Sequence, residues 1–126
     1  MDVPRKFLDE ARRRCTPREE CAALLFGAGG RVELWTWLEN VAGSPYEFKL
    51  RPEDVYKAIV DFEKFGAELI AIFHTHLGPP TPSPIDLKYM RLWPVVWMIL
   101  DIYTGEVKAW RLRDAQLESV NINILE

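Results

Sequence analysis

The chain has 126 residues, a formal net charge of −3 and 48% hydrophobic residues, a size that suits a single domain, residues 1–126, built on one core. No apolar run reaches the length of a membrane-spanning helix, so a soluble, cytoplasmic protein is expected and a membrane one is set aside. The acidic balance, with no basic stripe beyond Arg12-Arg13-Arg14, offers phosphates little to bind, so nucleic acid is not expected as a partner.

Met1-Asp2-Val3-Pro4-Arg5-Lys6 leads into no apolar signal core, and secretion is not expected. Residues 4–15 predict an amphipathic helix with Phe7, Leu8 and Ala11 on one side and the arginine triplet near its end, where cations suit the helix dipole. Cys15 and Cys21 stand six residues apart and make no zinc knuckle. They read as buried small hydrophobes, with a disulfide as the alternative if the host is hyperthermophilic. Scarce asparagine and glutamine beside 28% charged residues lean toward a thermophilic source.

Strands are expected at 21–26 and 31–38, joined as a hairpin across Gly27-Ala28-Gly29-Gly30. Pro52 opens a second helix running to about residue 65, with Val55, Ile59 and Phe62 at helical spacing and Gly66 as its stop. Residues 95–103 and 106–112 predict a further hairpin around Thr104-Gly105, and 119–125 alternates as an edge strand. Of the five tryptophans, most read as core or sheet-face packing, while one or two left exposed would mark a partner or homodimer surface.

Between the second helix and that hairpin lie the only two histidines of the chain. Glu68-Leu69-Ile70-Ala71-Ile72-Phe73 is apolar and β-branched enough to be a buried strand, which puts His74 and His76 at its end. Two residues apart on a strand, both imidazoles point the same way and can converge on one ion. Gly78 and Pro79, Pro80, Pro82 and Pro84 make a short, stiff return. Ser83 then suits a helix N-cap, Pro84 the first helical position, and Asp86 the third, where the dipole also favours a carboxylate. Two imidazoles and one carboxylate with a fourth position open describe a catalytic zinc site, since structural sites usually close with cysteine. By itself, a His-x-His pair or a capping Asp is commonplace.

His-Thr-His, six residues, Ser, two residues, Asp resembles the signature of the JAMM metalloproteases, the catalytic MPN-plus domains, which cleave isopeptide or peptide bonds at the C-terminus of ubiquitin-fold proteins. Pro17-Arg18-Glu19-Glu20-Cys21-Ala22-Ala23-Leu24-Leu25-Phe26-Gly27 is similar to the first strand of that family. Asn40-Val41-Ala42, Ser44-Pro45-Tyr46-Glu47-Phe48 and Pro52-Glu53-Asp54 resemble the segment before its central helix, so that the resemblance spans residues 4–113. It implies an α/β fold, an MPN-like (cytidine-deaminase-like) mixed sheet flanked by helices. It implies one Zn²⁺ held by His74, His76 and Asp86. It implies Glu20 as general base and acid, with Glu19 a solvated neighbour, and Ser83 as a donor to the developing oxyanion. An acid at the mouth of a buried strand independently calls for a function or a partner at Glu20.

The implied substrate is a small ubiquitin-like modifier, its precursor or its protein conjugates, as in archaeal and bacterial members, with the modifier tail laid along a strand edge. Leu77 departs from the proline usual after the second histidine, and the loop to Ser83 is one residue shorter than in most members. Neither change removes a ligand; both bear on the groove beside the metal. Two alternatives stand: a non-catalytic scaffold, against which the complete residue set argues, and a RadC-like DNA-associated domain, against which the charge argues.

Overall fold

The computed structural model describes residues 1–18, 20–40 and 49–126. Along the chain the elements are β1 (Asp2–Pro4), α1 (Arg5–Arg14), β2 (Ala22–Ala28), β3 (Arg31–Leu38), α2 (Pro52–Glu63), β4 (Glu68–His76), α3 (Pro84–Leu92), β5 (Val96–Asp101), β6 (Val107–Arg113), β7 (Gln116–Val120) and β8 (Asn123–Leu125). All eight strands form one mixed sheet in the order β7-β6-β5-β4-β2-β3-β1-β8. The expected class, an α/β fold with a mixed sheet flanked by helices, is what the chain adopts. Glu19 and residues 41–48, part of the motif set used above, lie outside the described residues.

Strand β2 shows why the sheet needs helices on both faces. It reads Ala-Ala-Leu-Leu-Phe without polar alternation, and Ala22 to Phe26 are all fully buried. A strand apolar on both sides must be covered on both sides. Ala23 and Leu25, with Phe73, Met98 and Leu100, face Phe7, Leu8 and Ala11 of α1. Ala22, Leu24 and Phe26, with Ile72 and Trp97, face Val55 and Ala58 of α2 and Met90 of α3. The amphipathic stripe predicted for the first helix is therefore its buried side.

Gly27 is required by close approach. A Cβ there would fall 1.8 Å from the Arg31 carbonyl oxygen, where the β2–β3 register shifts. β4 lies between β2, antiparallel with Ala22 opposite His74, and β5, parallel with His74 opposite Ile99. The parallel step needs a crossover, which the proline loop and α3 provide.

Three details differ from the sequence reading. The second helix ends at Glu63, two residues early, because the chain turns at Lys64 and Gly66 takes φ +72°. The tail is two strands: β7 pairs antiparallel with β6, whereas β8 pairs in parallel with β1 at the opposite edge. Cys15 and Cys21 form a disulfide, with Cα atoms 5.6 Å apart where the end of α1 meets the approach to β2, so the bonded alternative is the one observed. None of the five tryptophans is fully exposed. Trp97 is buried, and the indoles of Trp35 and Trp37 both donate to the Glu10 carboxylate, at 3.1 and 2.7 Å.

Candidate metal centre

His74 and His76 occupy the last turn of pleat in β4, which stays paired to β5 through His76 opposite Asp101. Their ring centroids lie 4.9 Å apart, and His74 is fully buried with its ring edge-on to Trp97. Residues two apart share a strand face, so the predicted convergence is a direct consequence of the ladder holding to its end.

The third predicted ligand arrives by helix capping. Ser83 Oγ accepts the Asp86 N–H at 3.1 Å, and Asp86 Oδ2 accepts the Ser83 N–H at 2.9 Å, a reciprocal capping box with Pro84 in the first turn. The box leaves the Asp86 carboxylate buried and aimed back at β4. Its Oδ2 is 2.9 Å from His76 Nε2, and its Oδ1 is 3.5 Å from His74 Nε2. The returning loop is tied at two carbonyls: Trp110 Nε1 donates to Pro80 at 2.8 Å, and His76 Nδ1 donates to Pro79 at 3.2 Å. The second bond turns the His76 ring so that Nε2 faces inward, the usual way an outer partner orients a ligating imidazole.

Glu20 comes from the opposite side, one residue before Cys21 on the approach to β2. It is 7% exposed, and its Oε2 stands 3.6 Å from His74 Nδ1. Glu20, His74 and His76 each offer a ligand atom, all within 4.8 Å of one another. The sequence reading kept Glu20 apart from the ligands; the folded chain brings it level with them. Thus Glu20, His74, His76 and Asp86 meet at one end of β4, with Ser83 joined to Asp86.

The charges are interdependent. Burial works to lower the pKa of His76, but the hydrogen bond and negative charge of Asp86, the Pro79 carbonyl and Glu20 outweigh it and hold the value above the ordinary 6.5. Burial likewise works to raise Asp86, but the bond from His76, the His74 ring and the Ser83 N–H together bring it below the usual carboxylate value. Such a cluster, two acids and two imidazoles at the end of a buried strand, demands positive charge. Glu20 Oε2 is buried and makes no hydrogen bond, an arrangement costly for a carboxylate unless a cation sits beside it. The residues therefore fit a divalent ion that takes nitrogen and oxygen donors.

Two side chains that stand in the sequence motifs without an assigned role bear on this geometry. Thr75, between the histidines and 2% exposed, accepts the Cys21 N–H at 2.9 Å on Oγ1. Asn40, 5% exposed, donates from Nδ2 to the Glu20 carbonyl at 3.0 Å. Neither contact has a sequence signal, because the partners are 54 and 20 residues away. A cleft of about 480 Å³ opens beside Glu20, lined also by Cys21, Trp37, Leu38 and Asn40.

Residues 2–113 match the family of prokaryotic homologs of the JAB domain. The chain belongs to that family. This JAB-domain protein is 41% identical over 96 residues to the desampylase of Pyrococcus furiosus, covering 75% of this chain and 68% of the relative. It is 37% identical over 117 residues to the probable TtuB-protein conjugate cleaving protease of Thermus thermophilus, covering 90% and 77%. A protein of Desulfitobacterium hafniense solved in solution superposes with a TM-score of 0.78 at 25% identity over all of this chain and 94% of the other. A JAB1/MPN domain protein from Archaeoglobus fulgidus shares the fold, with a TM-score of 0.64 at 17% identity over 99% and 97% of the two chains. The resemblance to JAMM proteins is borne out in family and in fold. Among the described residues, no helix is long and apolar enough to cross a membrane.

Proposed function

We propose that this JAB-domain protein is a zinc-dependent isopeptidase that hydrolyses the bond between the C-terminus of a small ubiquitin-like modifier and a lysine of its conjugate, or trims modifier precursors. The observation that carries the reading is the meeting of Glu20 with His74, His76 and Asp86, with Ser83 joined to Asp86, in a chain similar to a desampylase and a conjugate-cleaving protease. His74, His76 and Asp86 would hold the ion; two imidazoles and a carboxylate are a zinc donor set with room for substrate. Bound there, zinc would supply Lewis acidity, lowering the pKa of water toward 7 and polarising a carbonyl.

The remaining steps belong to side chains. Glu20 Oε2, buried and without a hydrogen bond, would take a proton from the attacking water and return it to the departing lysine amine. Ser83 Oγ already accepts the Asp86 N–H, which leaves its hydroxyl hydrogen to donate to the oxygen of the tetrahedral intermediate. Serine is not the nucleophile, since both histidines are engaged with Asp86 and neither is left to activate it. Substrate enters beside Glu20. Among the described residues, the outer side of β3 is paired only at Arg31, so an extended modifier tail could add as a strand toward the cleft at Trp37 and Leu38. The scaffold and nucleic-acid readings have no comparable support. We place the enzyme in the cytoplasm of a thermophile, where a disulfide is no obstacle.

The test is cleavage of a ubiquitin-fold protein linked to a lysine side chain, with and without a chelator. Zinc-restored, chelator-sensitive cleavage that Glu20→Gln abolishes while retaining zinc is expected. Undiminished cleavage in chelator, or in Glu20→Gln, would overturn the assignment.

A further inference from the structure

Glu20 sits outside the regular ladder, yet its carboxylate must keep an ångström-scale relation to His74. Pairing of β2 with β4 runs in register from Leu25 opposite Ala71 to Ala22 opposite His74. One residue beyond, Cys21 O still accepts the Thr75 N–H at 3.1 Å, but the Cys21 N–H turns to the Thr75 hydroxyl at 2.9 Å. The carbonyl of that same peptide unit, Glu20 O, accepts from Asn40 Nδ2 at 3.0 Å. Asn40 is anchored in turn, because its Oδ1 accepts the Lys49 N–H at 3.0 Å. Both polar ends of the Glu20–Cys21 peptide are therefore held by buried side chains, one from each side.

Resting on the proposed function, we infer that Thr75 and Asn40 are positioning residues that fix the Glu20–Cys21 peptide plane and so aim the Glu20 carboxylate at the centre. A peptide plane free to rotate about its Cα atoms would swing the Glu20 side chain away from His74, now 3.6 Å distant. Misplacement of a catalytic group by about 1 Å can cost on the order of a hundredfold in rate. Thr75 has a further property that a generic hydrogen-bond acceptor lacks. It lies between His74 and His76, so a single hydroxyl ties the strand bearing the base to the strand bearing the ligands. Serine would serve as well; valine, of the same shape, would not. The disulfide from Cys21 to Cys15 restrains the same residue from outside.

The experiment compares Thr75→Val, Thr75→Ser, Asn40→Asp and Glu20→Gln on a lysine-linked ubiquitin-fold conjugate, reading kcat and KM separately, together with bound zinc and amide exchange at Cys21. Asn40→Asp keeps an acceptor for the Lys49 N–H but replaces the donor to Glu20 O with a carboxylate oxygen and adds a negative charge. Faster exchange of the Cys21 amide must therefore accompany its kcat loss for the loss to count toward the clamp. Thr75→Val is expected to bind full zinc, keep KM within about twofold, lose about tenfold to a hundredfold in kcat and exchange the Cys21 amide faster. Thr75→Ser should recover both, and Asn40→Asp should share the kcat loss, which keeps the test decisive if Thr75→Val does not fold. Wild-type kcat in Thr75→Val and Asn40→Asp, or loss of kcat in step with zinc, would overturn the clamp while a dead, zinc-loaded Glu20→Gln left the function standing. An active Glu20→Gln would overturn the base assignment, and the clamp's purpose with it.

Discussion

Ser83 is where local folding and proposed chemistry can be separated most cleanly, because its two roles use different parts of the hydroxyl. As N-cap, Oγ accepts the Asp86 N–H at 3.1 Å; as oxyanion donor, it would give its hydrogen. Ser83→Ala and Ser83→Gly both remove the whole hydroxyl, but glycine at an N-cap costs only a few tenths of a kcal/mol where alanine costs about 1 kcal/mol, so the two variants share the loss of the donor and differ in the cost of the lost cap. With an unfolding entropy of about 2.1 cal/mol/K per residue, 126 residues convert 1 kcal/mol into a fall of about 4 °C in Tm for alanine, and about 1 °C for glycine. A loss of that size leaves a domain of ordinary stability, about 5–15 kcal/mol, almost entirely folded. It therefore cannot imitate the rate loss of about a hundredfold or more that follows removal of an oxyanion donor. Thermal unfolding and kcat should thus diverge: the two variants differ in Tm and agree in kcat, both retaining zinc. Should Ser83→Gly turn over like the native enzyme, or should kcat follow Tm, Ser83 is a cap and nothing more.

Replacing Cys15 and Cys21 by alanine opens a loop of six-residue separation, worth about 2.4 kcal/mol in the chain-entropy account and about 9 °C in Tm; an unchanged melt would show that the bond restrains nothing. Metal loading should titrate at His76, whose pKa the Asp86 pairing raises above 6.5 despite burial. As pH falls through that raised value the imidazole takes a proton that excludes the ion, so zinc titrations should lose affinity at a higher pH than an unperturbed histidine would require. The same shift predicts that the metal-free protein is stabilised by the protonated pair at low pH and loses that increment as pH rises through the folded-state value, read by chemical denaturation across that range. His74→Ala, His76→Ala and Asp86→Ala should each release zinc while circular dichroism shows the fold intact; collapse of all three on metal loss would make the ion structural.

What could be read in advance followed sequence distance. His74 and His76 converge because a strand alternates every residue, and Asp86 returns because a capping box spans three; each is a local rule, and each held to the residue. The short strand β1 was invisible, carrying Pro4 in three residues and pairing with Arg31 and with residues 123–125. The β6–β7 turn was hidden too, since Asp114 and Ala115 take φ 51° and 64° without a glycine to announce them. The disulfide was legible only as an alternative, for nothing local says that the end of α1 returns to the start of β2.

Glu20 lies between these cases. Resemblance to the JAMM family named it, yet what puts it beside His74 is the long-range register of Ala22 on His74, completed by Thr75 and Asn40. The proposed ligand half of the centre is thus written within thirteen residues, 74–86, and the proposed proton-handling half is assembled by the sheet. On that assignment, a domain that kept only the first would still hold an ion, but its carboxylate would have no fixed relation to it. Retention of metal is consequently no measure of catalytic competence here, and the contacts that separate the two are those made by the residue between the histidines.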